Sequence, residues 1–183
     1  TTYRITIGDR PFSDGQKAEL QPEVDATLLR INKLMSTWDK NSELSRFNDP
    51  KATTPFTFSK ETVEVFLLAE SISRQTGGAF DITIGPLVDA WGFGSEGKRK
   101  IPSKEEVAEL LQKCGWQKLD IDEKNNQISK NDNALKCDLS AIAKGYAVDQ
   151  LAALCRSKKL DNWYIEVGGE CRVNGLKPGG KPW

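Results

Sequence analysis

Cys137-Asp138-Leu139-Ser140-Ala141-Ile142-Ala143-Lys144-Gly145-Tyr146-Ala147-Val148-Asp149 is the stretch that decides how this chain is read. The residues from Leu135 to Asp138 read as a strand that ends at an acidic residue. A short polar turn then feeds a helix that carries Lys144 in its first turns. Free amides at a helix start attract anions, and a lysine nearby adds a full positive charge. An aspartate at that point would repel phosphate unless it serves another polar group or a metal. The combination points to a nucleotide handled together with a cation. The helix, about Ile142 to Ser157, sets Ala143, Ala147, Leu151 and Leu154 as its inward face.

Outward from this block, Trp163-Tyr164-Ile165-Glu166-Val167 reads as a strand running into Gly168-Gly169. Toward the N-terminus, Lys118–Asp122 and Gln127–Ser129 flank the polar turn Glu123-Lys124-Asn125-Asn126 as a hairpin. Ser103-Lys104-Glu105-Glu106 is a capping box that opens a helix through Leu110 and Leu111, stopped by Gly115. Ser59 caps another helix with Val63, Phe66, Leu67 and Glu70 on successive turns, ended by Gly77-Gly78. Leu20, Val24, Leu28, Ile31 and Met35 recur at helical spacing and predict one long helix from about Gln16 to Met35. The chain opens as a strand, Thr1 to Gly8, followed by a polar loop to Gly15. Phe56-Thr57-Phe58 is short and strand-like, and Ser36 to Pro50 is polar and irregular. Strands and helices mix without regular alternation, which predicts an α+β fold of mainly antiparallel sheets with packed helices, not a doubly wound sheet.

Bulk properties narrow the function. A chain of 183 residues suffices for one domain with a real core or for two small lobes. Twenty-six basic residues balance 26 acidic ones, so no global field draws nucleic acid or an anionic membrane. No apolar run is long enough to span a bilayer. The absence of histidine removes His-based triads, His-ligated zinc and the usual general base near neutral pH. Four cysteines, Cys114, Cys137, Cys155 and Cys171, make no CxxC pair; free buried thiols are the plainer reading, and an even count also permits two disulfides. The start inside a strand and the close on Lys177-Pro178-Gly179-Gly180-Lys181-Pro182-Trp183, a turn toward a further strand, read as a piece of a longer protein.

Three further segments carry chemistry. In Thr76-Gly77-Gly78-Ala79-Phe80-Asp81-Ile82-Thr83-Ile84-Gly85-Pro86-Leu87, paired glycines let backbone approach a ligand, Phe80 is placed to stack, and Asp81 to accept from an amide or hydroxyl. A helix C-cap leading into a strand is the plainer reading, with Gly85 and Pro86 marking an irregular or edge segment beyond. In Glu166-Val167-Gly168-Gly169-Glu170-Cys171-Arg172 the glycines either admit a planar ligand or make a bulge or turn. Trp38 either stacks on an aromatic ring system or plugs a core edge. None of the glycine segments forms a GxGxxG fingerprint or a Walker A loop.

Four segments, in this order and spacing, resemble the ApbE family, the FAD:protein FMN transferases. They are Met35-Ser36-Thr37-Trp38-Asp39 with Ser42-Glu43-Leu44-Ser45-Arg46-Phe47-Asn48, then Thr76 to Asp81, then Asp138 to Ala147, then Glu166 to Glu170. The resemblance covers essentially the whole chain. It implies an ApbE-like (T-fold-related) architecture and a single FAD-binding domain over residues 1–183, incomplete at both ends. It implies FAD as substrate and Mg²⁺ as cofactor, with cleavage of the pyrophosphate, passage of FMN to a Ser or Thr hydroxyl of a target protein, and release of AMP. Some members give the FMN to water, so a FAD pyrophosphatase is the alternative; a FAD-binding module without turnover is a third reading.

Residue by residue, the resemblance makes Trp38 the aromatic beside the flavin nucleotide and Ala79, Phe80 and Asp81 a FAD-contacting strand. Asp138 and Lys144 flank the pyrophosphate, the carbonyl of Ala141 binds the metal, and Glu170 lies in a segment lining the same cleft. No catalytic base is assigned. The family's acidic and Thr metal ligands and a His-containing loop fall in a later segment, outside these residues. The resemblance also implies partners such as respiratory flavoprotein subunits, and a lipid anchor outside this chain at the periplasmic face of a bacterial inner membrane. It implies no nucleic acid and leaves the oligomeric state open.

Overall fold

The computed structural model describes residues 2–8, 11–95 and 100–183. They cluster into two compact units, Thr1–Ile31 with Ile142–Trp183, and Asn32–Ala141.

In the first unit, β1 (Tyr3–Ile7) pairs antiparallel with β5 (Trp163–Val167), and β5 pairs antiparallel with β6 (Glu170–Asn174), giving the order β1-β5-β6. Trp163, Ile165 and Val167 alternate into the core, as a half-buried strand requires. Trp163 is fully buried, and its indole N–H donates to the Leu160 carbonyl at 3.2 Å, so the one polar atom of the ring is satisfied. The hairpin joining β5 to β6 has a two-residue turn, Gly168-Gly169, with φ of 57° and 99°. Both residues are left-handed, the signature of a type I′ turn, which suits the right-handed twist of the strands. This settles the glycine pair as a tight turn. Strand β6, which follows it, has no counterpart in the sequence reading.

Helix α1 (Asp14–Met35) opens with Ser13 and Gln16 exchanging side-chain and backbone hydrogen bonds at 3.2 and 3.0 Å, two residues ahead of its predicted start. Within the first unit its Tyr3-facing side is fixed where the Tyr3 hydroxyl donates to Asp25 at 2.8 Å. Helix α6 (Ser140–Ser157) buries Ala147, Val148, Leu151, Ala152 and Cys155. Its inward face is rotated from the predicted one: Ala147 and Leu151 hold, while Ala143 and Leu154 are half-buried.

The second unit is built on the sheet β2-β4-β3, where β2 is Phe56–Thr57, β3 Leu119–Asp122 and β4 Gln127–Lys130. The β3–β4 hairpin is the predicted one, with Asn126 at φ 52° in its turn. Helix α3 (Lys60–Gln75) starts at Ser59, whose hydroxyl accepts from Thr62 N, and helix α5 (Lys104–Leu111) starts at the Ser103–Glu106 capping box. Phe47, Phe56, Phe58 and Phe66 form the centre of the core, with ring centroids 4.7 to 6.1 Å apart in edge-on and tilted pairs. Fully burying a phenylalanine contributes roughly 1.5–3 kcal/mol.

Three expectations fail here. The loop from Ser36 to Pro50 contains helix α2 (Glu43–Asn48), capped by Ser42 and driven by burial of Leu44 and Phe47. Gly85 and Pro86 do not mark an edge but open helix α4 (Gly85–Ala90), with proline in the first turn where its missing N–H costs nothing. The strands expected at Ala79–Asp81 and Leu135–Asp138 are a turn and an extended segment, joined by a single parallel bridge from Ile84 to Lys136. All four cysteines are free; Cys137 and Cys155 are buried, Cys114 is half-buried and Cys171 exposed. No helix among the described residues is long and apolar enough to cross a membrane.

Candidate functional site

In the second unit, Trp38 stands on a braced loop. Ser36 Oγ accepts from Trp38 N at 3.0 Å and from Asp39 N at 3.1 Å, and the Ser36 carbonyl accepts from the hydroxyls of Ser42 and Ser45 at 2.5 and 3.0 Å. The indole is 67% exposed. A large apolar ring held in water by a fixed backbone plugs no core edge; it is free to stack on a planar ligand.

Asp81 lies in the turn after α3. Its Oδ1 accepts from Thr83 N at 2.7 Å and Thr83 Oγ1 at 2.6 Å, and its Oδ2 accepts from Trp116 N at 3.0 Å. The buried Thr83 hydroxyl accepts in turn from Gly115 N at 2.6 Å. The carboxylate is thus committed to bracing the single 3₁₀ turn Trp116–Lys118. Phe80 is half-buried and Ala79 exposed beside it.

The Asp81 and Asp138 segments are brought together. Asp138 N donates to the Ile82 carbonyl at 2.7 Å, and Gly85 N donates to the Lys136 carbonyl at 3.1 Å. A Cβ on Gly85 would sit 2.7 Å from that carbonyl, so only glycine permits the approach. On the other side Asn48 pairs with the backbone of Cys137, its Oδ1 accepting from Cys137 N and its Nδ2 donating to Cys137 O, both at 2.8 Å. Asp138 is only 9% exposed, and its Oδ1 accepts from Ser140 N at 2.7 Å, the first residue of α6. The first amides of a helix lack intrahelical partners, so the aspartate serves the helix start itself. Ala141 is exposed in the first turn of α6.

In the first unit, Lys144 Nζ lies 2.8 Å from Glu170 Oε1 and donates to the Gly168 carbonyl at 3.3 Å. The ammonium is therefore held against the Gly168-Gly169 turn. Its hydrogen bond and charge hold the Glu170 carboxyl below the usual carboxylate range. The other oxygen, Glu170 Oε2, is buried without a hydrogen-bond partner. An unmatched buried acceptor is costly, and a donor on a ligand would satisfy it.

The structure thus brings Asp81 near Asp138 in one unit and Lys144 to Glu170 in the other. Trp38 stands in the loop braced by Ser36. Thr83 and the Asn48–Cys137 pairing carry the geometry without a role assigned to them from the sequence, and Gly85, expected to mark an irregular or edge segment, is required by a close approach that sequence does not reveal. Mg²⁺ takes six oxygen ligands in near-octahedral geometry. Among the described residues no group of three or more His, Cys, Asp or Glu is placed to hold a metal ion. The Ala141 carbonyl offers one oxygen, in the first turn of α6.

The chain is an α+β protein built from two antiparallel three-stranded sheets with packed helices. A family model described as the ApbE family matches residues 1–183, and the chain belongs to that family. The FAD:protein FMN transferase of Vibrio cholerae is 41% identical over 184 residues, covering 100% of this chain and 54% of that protein. The solved structure of the flavin transferase ApbE from Vibrio cholerae superposes with a TM-score of 0.90 at 40% identity, over 99% of this chain and 58% of that one. The apo flavinyl transferase ApbE of Pseudomonas stutzeri gives 0.89 at 32% identity, over 100% of this chain and 60% of that one. The chain spans about half the length of the curated relatives it matches.

Proposed function

We propose that this chain is part of an enzyme that transfers FMN from FAD to a Ser or Thr hydroxyl of a target flavoprotein, releasing AMP in a Mg²⁺-dependent reaction. The observation that carries the reading is similarity, along the whole of this chain and about half of each relative, to proteins named FAD:protein FMN transferase. Trp38 stacks on the flavin nucleotide, and the Ala79-Phe80-Asp81 turn lines the ligand. Asp138 and Lys144 flank the pyrophosphate, and Glu170 offers its unmatched oxygen to a ligand donor. Cleaving a pyrophosphate needs positive charge where negative charge grows, and Lys144 supplies it from a fixed position. When bound, Mg²⁺ adds to that charge stabilisation. The Ala141 carbonyl would hold the metal by one oxygen, with water and substrate phosphate completing a shell of hard oxygen ligands. Nothing covalent is required of these residues, so alignment of the acceptor hydroxyl with the leaving AMP is most of the work. The protein acts at the periplasmic face of a bacterial inner membrane, held by a lipid anchor outside this chain.

The test is incubation of the intact protein with FAD, Mg²⁺ and a flavoprotein subunit carrying the acceptor hydroxyl. Flavin mass retained on the denatured subunit, lost on chelation with EDTA, is the expected result. Free FMN and AMP with no modified subunit would assign hydrolysis instead, and no turnover would reject an enzyme.

A further inference from the structure

We infer that Asn48 is a positioning residue for Asp138, acting through the backbone of Cys137; the inference rests on the reading of Asp138 as a FAD-contacting residue. Asn48 and Cys137 are 89 residues apart, yet the amide side chain makes both bonds that a neighbouring strand would make, 2.8 Å to the N–H and 2.8 Å to the carbonyl. Among the described residues no strand does this for Cys137. The extended segment from Leu135 has one bridge, at Lys136, and its next backbone contact is Asp138 N on the Ile82 carbonyl. Without Asn48, the peptide immediately before Asp138 loses its partners on one side.

Asn48 is itself rigidly held. It ends α2, whose start is capped by Ser42 on Ser45 N at 2.9 Å. The buried Lys130 ammonium donates to the Phe47 carbonyl at 2.7 Å and lies 4.8 Å from the Phe47 ring centre. A cation at the last turn of a helix satisfies a carbonyl with no intrahelical partner and opposes the helix dipole. The placement thus passes from Lys130 to the end of α2, from the Asn48 amide to Cys137, and so to the carboxylate at the start of α6. Asn48 touches no reacting atom on this account. Its role is to fix where the Asp138 carboxylate stands.

The test is a double-mutant cycle on FAD affinity, by calorimetry on the intact protein with Mg²⁺ present, using Asn48→Ala, Asp138→Ala and the pair. Asn48→Ala is expected to weaken FAD roughly tenfold, the size of one or two neutral hydrogen bonds. In the Asp138→Ala background it is expected to change affinity by less than about twofold, because coupled residues are non-additive. Amide exchange over residues 137–140 should speed up in Asn48→Ala, a local opening that does not depend on FAD. Should Asn48→Ala fail to fold, Asn48→Asp carries the same cycle, since it keeps the shape and sets an acceptor against the Cys137 carbonyl. Additive losses, or unchanged affinity in the single variant, overturn the inference and leave the functional reading standing. No FAD uptake by the wild type overturns both.

Discussion

Replacing Asp81 by alanine is expected to destabilise the fold as well as disturb ligand handling, and the structure sets the size. Three donors lose their acceptor: Thr83 N at 2.7 Å, Thr83 Oγ1 at 2.6 Å and Trp116 N at 3.0 Å. Bonds to a charged group are each worth about 1.5–3 kcal/mol, and stranding a buried donor costs about 1–3 kcal/mol. Thr83 is fully buried, so water cannot replace Asp81 there; Trp116 is half-buried and regains part of its loss from solvent. The net expectation is about 2–4 kcal/mol, a large share of the ~5–15 kcal/mol typical of a folded protein. Urea unfolding followed by far-UV circular dichroism should show the midpoint fall by roughly 1–2 M with an unchanged slope. Asp81→Asn, which keeps one acceptor oxygen, should fall between. A loss under about 0.5 kcal/mol for Asp81→Ala would refute the reasoning, because the carboxylate would then not be bracing the Trp116 turn.

Trp38→Ala should leave the unfolding midpoint unchanged, since the indole is 67% exposed and the loop is held through Ser36. The same variant should weaken FAD by at least about fivefold, one aromatic stack being worth ~1–3 kcal/mol; equal affinity would remove Trp38 from the site. Lys144 holds the Glu170 carboxyl below its ordinary value, so the pair's contribution is present above the unfolded carboxyl's value of about 4.3 and is lost as pH falls through the folded value. With both side chains about two-fifths exposed that contribution is only ~0.2–1 kcal/mol, and Lys144→Met should flatten this acid limb in denaturation curves without moving the neutral plateau by more. Gly169→Ala meets nothing within 4 Å, so its cost is the φ of 99° alone, about 1 kcal/mol in urea unfolding; no cost would mean the turn has relaxed to another type.

The elements that were legible in the sequence are those whose signals are local. Helix α1 followed from apolar spacing, α3 and α5 from Ser59 and from the Ser103–Glu106 box, and β5 from alternation ending in glycine. Helix α2 was hidden because six residues give under two turns of periodicity, although Ser42 followed by Leu44 and Phe47 three residues apart is a faint signal. Gly85 and Pro86 suggest an irregular or edge segment from composition, yet Pro86 stands at a helix start, where its fixed φ is favourable. The expected strands at Ala79 and Leu135 failed because apolar runs of three or four residues do not reveal whether a partner strand exists.

For the site, residue types and order were legible, and their commitments were not. Asp138 was expected beside a ligand or metal and is found bonding the first amide of α6. Asp81 was expected to accept from a ligand and accepts from Thr83 and Trp116, the latter 35 residues away. The clamp of Asn48 on Cys137 depends on a separation that no local pattern carries. Lys144 alone could be located by its place in the helix; its tether to Glu170 and Gly168 required the hairpin that the sequence reading lacked.

Calorimetric titration of FAD into the intact wild type and Lys144→Met, with Mg²⁺ present and unfolding midpoints measured alongside, tests the central claim most directly. The account predicts uptake by the wild type and at least about tenfold weaker uptake by the variant, with midpoints that agree within ~1 kcal/mol. Equal affinity in the two proteins, or no heat from the wild type, would contradict it.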